Sequence, residues 1–332
     1  MKRILGIVLL VFYAPLPLFV LAAPPTLSGA LYVLAPAVLI ASLVVPAKWS
    51  RRVAIASALT FFVPMFARTV FFTKPGGDVR AIDRVVDERD MAVNASRAIA
   101  YTHFMNDPDV PKLPNAMRDA YDQMAREEGD LPSPFAATYL GLQRPGASDA
   151  IEFMRDGDAA VVFLHGSAGN FTMSCWLFAR AAAKAGVSTT CPSTTWVGDW
   201  WSRDGEKIVR ESIASLRARG KNRIYLAGLS NGGIGASRLA PRLADEKLAG
   251  LVLVSGAAPD ARATNLPALV VQGRDDAQIS AAVVHAYAAR ANATYVELAA
   301  GHFALLVERE KAQRAITDWL VRNESTRTVA AN

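Results

Sequence analysis

Three long apolar stretches open the chain, and each is close to the roughly 20 residues that an α-helix needs to cross a membrane. They are Ile4–Ala23, Leu27–Val45 and Val53–Phe72. A cleaved signal peptide would account for the first stretch, because Lys2 and Arg3 precede it, but not for the other two. The pattern therefore predicts a membrane anchor of about three transmembrane helices over residues 1–76.

Charged residues indicate the orientation of that anchor. Residues 1–72 contain no acidic residue. Most of their basic residues lie before the first apolar stretch or between the second and the third: Lys2, Arg3, Lys48, Arg51 and Arg52. The positive-inside rule places both groups in the cytoplasm. We therefore expect residues 73–332 on the extracytoplasmic side of the inner (plasma) membrane, in a periplasm or its equivalent.

The pattern changes from about residue 135, where short apolar runs alternate with helical segments. The expected strands are Ala159–Leu164, Val187–Cys191, Arg223–Ala227, Leu251–Val254, Ala268–Gln272 and Thr294–Leu298. The expected helices are Thr172–Ala185, Glu206–Arg219, Gly232–Ala244, Ser280–Ala291 and Phe303–Arg322. This alternation predicts an α/β domain with a mostly parallel sheet flanked by helices. We assign residues 77–135 to a helical connector or partial cover, 136–322 to this domain and 323–332 to a polar tail.

Composition excludes two classes of protein. The formal net charge is +6, but residues 73–332 hold equal numbers of basic and acidic residues. Contacts with phosphates need clustered positive charge, so this balance argues against a nucleic-acid-binding protein. Hydrophobic residues make up 52% of the chain, which is too high for a disordered protein.

The most informative motif is the pentapeptide Gly228-Leu229-Ser230-Asn231-Gly232, which lies between an expected strand and an expected helix. A nucleophilic serine on such a sharp turn needs small residues two positions away on either side. The motif therefore predicts a nucleophile elbow with Ser230 as nucleophile. An ordinary strand-to-helix loop is the alternative.

A nucleophilic serine needs a base and an orienting acid, in the chain order Ser, Asp, His. Of the four histidines, His103 and His285 lie in expected helices and are interpreted as structural, whereas His302 follows the last expected strand. Asp275 and Asp276 follow the strand before it, so all these candidates fall at the carboxyl edge of the sheet. His302 is the expected base, and either aspartate can serve as the acid.

Residues 136–322 resemble the α/β-hydrolase superfamily through this elbow, this order and the acid motif G-x-x-D-x-x-[VI]-[PS]. The segment Gly273–Ser280 fits that motif with Asp276 as the acid. Asp275 is then a neighbour, and Asp260, after the preceding strand, is a lesser candidate. The resemblance implies an α/β-hydrolase fold and a Ser230–His302–Asp276 triad.

The segment His165-Gly166-Ser167-Ala168-Gly169 resembles the H-G-x-x-G segment of the same family. By that resemblance the backbone amides of Ser167 and Asn231 form the oxyanion hole, and His165 shapes the loop without acting as a base. A plain glycine-rich turn is the alternative. The sequence contains no phosphate-binding, zinc-binding or complete dinucleotide-binding motif, so we expect neither a cofactor nor a metal.

The substrate is expected to be a small-molecule or lipid-like acyl compound, but the residues that cover the site are open to two interpretations. About a dozen residues separate the strands ending at Val254 and starting at Ala268, which leaves no room for a lid there. Either residues 78–135 cover the site, or the loop Cys191–Asp204 does. That loop contains three tryptophans that form an aromatic wall for an acyl, aryl or lipid-like group, or else a small separate core or a bilayer contact. They are Trp196, Trp200 and Trp201.

Cys175 and Cys191 are the only cysteines. They fall at an expected helix start and an expected strand end, which share one edge of such a sheet, so we predict a disulfide between them. Two separate buried thiols are the alternative. Taken together, the sequence predicts a membrane-anchored serine hydrolase that cleaves a carboxylic ester or thioester. An amidase or peptidase with the same triad, or an inactive hydrolase fold that binds a ligand, remains open.

Overall fold

A computed structural model describes residues 2–14, 27–71, 81–102, 105–139, 141–142 and 150–330. Its centre is a seven-stranded sheet in the order β1-β3-β2-β4-β5-β6-β7. The strands are β1 (Ile151–Phe153), β2 (Ala159–Leu164), β3 (Ser188–Cys191), β4 (Arg223–Leu229), β5 (Gly250–Val254), β6 (Ala268–Gly273) and β7 (Thr294–Leu298). Only the β1–β3 pair in this sheet is antiparallel, and the other five pairs are parallel. The predicted mostly parallel α/β sheet flanked by helices is confirmed.

Six of these strands lie where the apolar runs predict them. The edge strand β1 was not predicted, because three residues are too few to show the alternation that marks a strand. It is defined instead by its pairing with β3, in which Ile151 lies opposite Cys191.

In the part of the chain that the structure describes, seven helices accompany the sheet. They are α6 (Phe135–Tyr139), α7 (Thr172–Ala183), α8 (Arg203–Ala218), α9 (Asn231–Leu239), α10 (Ala281–Arg290), α11 (Ala304–Val307) and α12 (Arg309–Ala330). The expected closing helix is divided at Glu308 into α11 and α12. The expected polar tail is in fact helical as far as Ala330, and within it Glu324 forms an ion pair with Arg223 of β4 at 2.7 Å.

Two hydrophobic cores lie on opposite faces of the sheet, because successive side chains of a strand point to opposite faces. Val161 and Phe163 of β2 belong to the core that packs against α7 and α12. Val162 and Leu164 belong to the core that packs against α8, α9 and α10. The central strands are therefore buried on both faces, which explains their continuous apolar sequences.

The described residues of the N-terminal part include three helices: α1 (Lys2–Tyr13), α2 (Leu27–Ala41) and α3 (Ala47–Phe71). Among the residues that the structure describes, none forms a helix that is both long enough and apolar enough to cross a membrane. The three expected spans are therefore not found there. Parts of the expected spans Ile4–Ala23 and Val53–Phe72 lie outside the described residues.

The connector contributes two longer helices, α4 (Glu88–Thr102) and α5 (Leu113–Glu128). The buried carboxylate of Glu88 accepts hydrogen bonds from the hydroxyls of Tyr121 and Ser133. It also accepts the backbone N–H groups of Thr172 and Met173, at 3.0 and 3.1 Å, at the start of α7. A carboxylate is favoured at a helix N-terminus, where N–H groups lack intrahelical partners. Glu88 thus joins the connector to α7, the helix that follows the glycine-rich loop His165–Gly169.

Candidate active site

Ser230 stands on the turn between β4 and α9. Its φ of +56° lies in a region that non-glycine residues seldom adopt, a strain typical of functional turns. A Cβ atom at Gly228 would overlap the carbonyl of Gly232, and one at Gly232 would overlap the carbonyl of Leu164. Glycine is therefore required on both sides, and the close contact of α9 with the sheet holds the serine at the carboxyl edge.

Three of the sequence-predicted residues form one hydrogen-bonded chain. His302 Nε2 lies 2.9 Å from Ser230 Oγ, and His302 Nδ1 lies 2.9 Å from Asp276 Oδ2. The His302 side chain is 11% exposed and the Asp276 side chain is fully buried. This geometry allows His302 to accept the serine proton while its other nitrogen donates to a carboxylate.

Asp276 is held as an anion by its surroundings. Burial raises the pKa of this carboxyl. Hydrogen bonding and charge attraction from His302, together with the backbone amides of Ile279 and Gln278, lower the pKa by more than burial raises it, so the pKa lies below its ordinary value. The two amides lie 2.9 and 2.8 Å from Oδ1. The side chain of Gln272 adds a bond to Oδ2 at 2.7 Å. An ionised Asp276 can stabilise a positively charged His302.

The two other candidate acids lie elsewhere. Asp275 is exposed and is paired with Arg274 at 3.4 Å. Asp260 is exposed and is paired with Arg238 at 2.9 Å. The structure thus brings only Asp276 of the three aspartates into contact with His302.

The glycine-rich loop after β2, His165–Gly169, lies against Ser230. A Cβ atom at Gly166 would lie 3.1 Å from the Cβ of Ser230. The side chain of Asn231 donates to Ser167 Oγ at 2.8 Å and so ties this loop to the first residue of α9. The Asn231 amide belongs to the first turn of that helix, where N–H groups have no intrahelical acceptor. The structure therefore places Ser167 and Asn231 together beside Ser230.

His165 is buried beneath this loop. Its Nδ1 lies 2.7 Å from the carbonyl of Gly166, and its Nε2 accepts the N–H of Thr194 at 3.2 Å. Burial lowers the pKa of His165 to about 4, so the ring is neutral at pH 7. With both ring nitrogens engaged, His165 supports the loop. His285 lies on α10 with its ring against Tyr295, and His103 falls outside the described residues.

A cavity of about 320 Å³ opens beside Ser230 and His302. Its walls are apolar side chains from both connector helices and from α7 and α11. They include Ala92, Ala95, Ile99, Leu113, Met117, Met173, Leu177, Leu305 and Leu306. Of the two covers considered from the sequence, the connector is the one that lines this cavity.

The three tryptophans of the loop after β3 do not line the cavity. Trp200 is fully buried and its Nε1 donates to the carbonyl of His165 at 2.9 Å. Trp201 lies against the guanidinium of Arg238, and Trp196 is 52% exposed. The expected aromatic wall is therefore absent from this cavity, because Trp200 turns inward to support the glycine-rich loop.

Two buried aspartates of the connector contact the loop that carries His302. Asp107 Oδ2 accepts the backbone N–H of His302 at 2.9 Å. Asp109 Oδ2 accepts the backbone N–H of Phe303 at 3.1 Å. Two aspartates flanking Pro108 were the only local signal, and such residues usually mark a turn.

A disulfide joins Cys175 at the start of α7 to Cys191 at the end of β3, with Cα atoms 6.1 Å apart. Asn170, just before α7, donates through Nδ2 to the carbonyl of Cys191 at 3.1 Å. The glycine-rich loop is thus attached at its far end to the neighbouring strand. Within the described ranges, no group of three or more His, Cys, Asp or Glu residues is arranged to hold a metal.

No protein-family model and no curated protein matches the sequence. Solved structures of α/β hydrolases resemble about half of the chain. A lidless α/β serine hydrolase from Xanthomonas campestris is 18% identical, with 52% of this chain and 88% of that chain covered and a TM-score of 0.43. The enol-lactonase from Burkholderia xenovorans is 17% identical over 52% and 95%, with a TM-score of 0.43. The monoacylglycerol lipase from Paleococcus ferrophilus is 17% identical over 52% and 98%, also at 0.43. The likeness concerns the fold alone.

Proposed function

We propose that this protein is a serine hydrolase that cleaves a carboxylic ester or thioester through an acyl-enzyme. The observation that supports this most is the hydrogen-bonded chain from Ser230 through His302 to the buried Asp276, which opens into an apolar cavity. Ser230 Oγ attacks the substrate carbonyl as its proton passes to His302 Nε2. Asp276 keeps the Nδ1–H oriented and stabilises the imidazolium that forms.

The oxyanion of the tetrahedral intermediate is stabilised by the backbone amides of Ser167 and Asn231. Such donors are typically worth about 3 kcal/mol each in a preorganised site. His302 then protonates the leaving alcohol or thiol, which departs and leaves the acyl group on Ser230. In the second half, His302 takes a proton from water, the resulting nucleophile attacks the acyl carbonyl, and Ser230 regains its proton.

The acyl group of the substrate is expected to be neutral and apolar. The cavity is near the lower end of the range of about 300–1,000 Å³ that small-molecule sites occupy. Its described lining residues include no Asp, Glu, Lys or Arg, and His165, which also lines it, is neutral at pH 7. A charged acyl group would lose its hydration there without gaining an ionic partner.

Labelling with a fluorophosphonate tests the nucleophile directly. The wild-type protein is expected to take up one label on Ser230, and Ser230→Ala to take up none while remaining folded. Absence of labelling in folded wild-type protein would overturn the hydrolase proposal and favour a ligand-binding role. Activity against matched ester, thioester and amide substrates then separates an esterase from an amidase or peptidase.

We also propose that residues 1–72 attach the protein to a membrane, with the catalytic body on the extracytoplasmic side. Large apolar side chains such as Ile4, Phe12 and Phe62 are exposed on α1 and α3, and surfaces of this kind mark contacts with membranes or proteins. The Cys175–Cys191 disulfide is of a kind that persists in oxidising compartments. The full chain should stay in the membrane fraction after alkaline carbonate washing, and protease added outside intact cells or spheroplasts should degrade the body. Recovery of the protein in the wash would contradict the attachment.

A further inference from the structure

A buried carboxylate of the connector bridges the two loops that carry the base and the acid. Asp107 is 6% exposed and lies between α4 and α5. Its Oδ2 accepts the backbone N–H of His302 at 2.9 Å and that of Ala277 at 3.3 Å. Ala277 directly follows Asp276 in the chain. One oxygen atom therefore hydrogen-bonds to the backbone of both loops, the one that carries His302 and the one that carries Asp276.

The other oxygen of this carboxylate is fixed by its own segment. Asp107 Oδ1 accepts the N–H of Asp109 at 3.0 Å, which orients the carboxylate toward the two loops. Asp109 is also buried, and its Oδ2 holds the N–H of Phe303, the residue after the base. Hydrogen bonds to an ionised carboxylate are shorter and stronger than neutral ones. The connector thus forms hydrogen bonds with two consecutive backbone amides of the loop that carries His302.

Gly301 makes this contact possible. A Cβ atom at this position would overlap the Asp107 carboxylate, whose atoms are its three nearest neighbours. Because Gly301 has no side chain, the Asp107 carboxylate has room to reach the backbone of the loop that carries His302. This contact gives Gly301 a role that the local sequence does not reveal.

We propose that Asp107 is a positioning residue for the triad, an inference that rests on the proposed hydrolase function. Burying a carboxylate is costly unless it is hydrogen-bonded. The Asp107 carboxylate accepts hydrogen bonds from the loops that carry His302 and Asp276. Their side chains must stay within hydrogen-bond distance through both halves of the reaction. A displacement of about 1 Å in such a site can cost about 100-fold in rate.

The kinetic test compares Asp107→Ala with Asp122→Ala. Asp122 is a matched control, because it also lies in the connector and pairs with Arg89 at 2.9 Å, but the structure records no contact between it and the triad loops. Asp107→Ala is expected to lower kcat and the rate of fluorophosphonate labelling about 100-fold, with KM unchanged. Asp122→Ala should retain the wild-type kcat. Equal kcat values in the two variants would overturn the proposal.

If Asp107→Ala does not fold, Asp107→Asn provides the same kinetic test. The amide keeps one accepting oxygen and places an NH₂ group where the second oxygen stood, so it cannot satisfy the N–H groups on both sides. A kcat clearly below those of the wild type and of Asp122→Ala is expected. A wild-type kcat in Asp107→Asn would overturn the positioning role.

A stability cycle tests the contact without using activity. Gly301→Ala should lower Tm in the wild-type background, because the new methyl group meets the Asp107 carboxylate. In an Asp107→Ala background the same substitution should lower Tm much less, since the opposing group is gone. Additive changes in Tm would overturn the contact. If the folded wild-type protein takes up no label, the hydrolase proposal fails, whereas additive Tm changes with normal labelling refute only the role of Asp107.

Discussion

At the scale of single residues, the environment of each polar side chain separates catalytic candidates from structural ones. Asp276 is buried and accepts hydrogen bonds from four donors, whereas its neighbour Asp275 is exposed. His302 contacts a serine and an aspartate, whereas both nitrogens of His165 bond to the backbone. The same residue types therefore have different chemistry because the fold gives them different partners.

Asp276→Asn is expected to lower kcat by about 10⁴-fold, because an amide neither stabilises the imidazolium nor holds the productive tautomer of His302. Asp275→Asn is the matched control and should leave kcat near the wild-type value. Steady-state kinetics on the best ester substrate would measure both. Similar, small losses in the two variants would transfer the acid role away from Asp276.

His165 is expected to make stability depend on pH. Its pKa is lowered by burial to about 4, whereas a histidine in the unfolded chain titrates near 6.5. As the pH falls from about 6.5 to about 4, the unfolded state takes up a proton that the folded state does not. The free energy of unfolding therefore decreases across this interval, by roughly 3 kcal/mol from this group.

Urea unfolding of the wild type and of His165→Asn at several pH values would measure this contribution. The variant loses the bonds of His165 at every pH but lacks its titration. The difference in free energy of unfolding between the two proteins should therefore shrink as the pH falls from 7 to 4.5. A constant difference would contradict the prediction.

At the scale of elements, the glycine-rich loop is held from two sides. The disulfide and Asn170 attach its end to β3, and Trp200 attaches its beginning to the loop after β3. The loop that presents Ser167 is thus restrained by covalent and hydrogen bonds at both ends. Such restraint preorganises backbone donors, which is the condition for strong oxyanion stabilisation.

Replacing both Cys175 and Cys191 by alanine should lower the free energy of unfolding by about 3 kcal/mol, as expected for closing a loop of this length. The two sulfur atoms are 16 residues apart in the chain and fully buried. Thermal unfolding of the double variant beside the wild type would measure the loss. Mass spectrometry after alkylation without reduction would check the bond, since two alkylated cysteines in the native protein would refute it.

At the scale of the whole molecule, the cavity belongs to neither the sheet domain nor the connector alone. Ser230 and His302 come from the carboxyl edge of the sheet, and Ala95 and Ile99 of α4 come from the connector. Glu88 and Asp107 hold these two parts together at points 84 and 195 residues apart in the chain. The connector therefore contributes to both the shape of the cavity and the placement of His302.

Ala95→Phe should narrow the cavity from the connector side. The value of kcat/KM for octanoyl esters is expected to fall roughly tenfold or more, because the added ring displaces several methylene groups of the acyl chain. The value for acetyl esters should stay close to the wild type. Ala98→Phe on the same helix, at a position that does not line the cavity, is the control. Equal losses for both esters would place the acyl group elsewhere.

The sequence by itself determined six of the seven strands of the sheet, the turn at Ser230 and the position of His302 after the last strand. These features follow from local patterns: buried strands are continuously apolar, and a tight turn requires glycine at fixed offsets. The short strand β1 and the helical end of α12 were not predicted, because both are stabilised by contacts with distant strands, β1 with β3 and α12 with β4.

Only the tertiary structure brought Asp276, and neither Asp275 nor Asp260, into contact with His302, placed Trp200 in the core and lined the cavity with connector residues. It also revealed Asp107, which contacts a residue 195 positions away. Contacts over such separations leave no periodicity and no fixed spacing in the chain. They arise when the sheet brings its strand ends to one edge and the connector packs across that edge. Such contacts are therefore visible only in the folded structure.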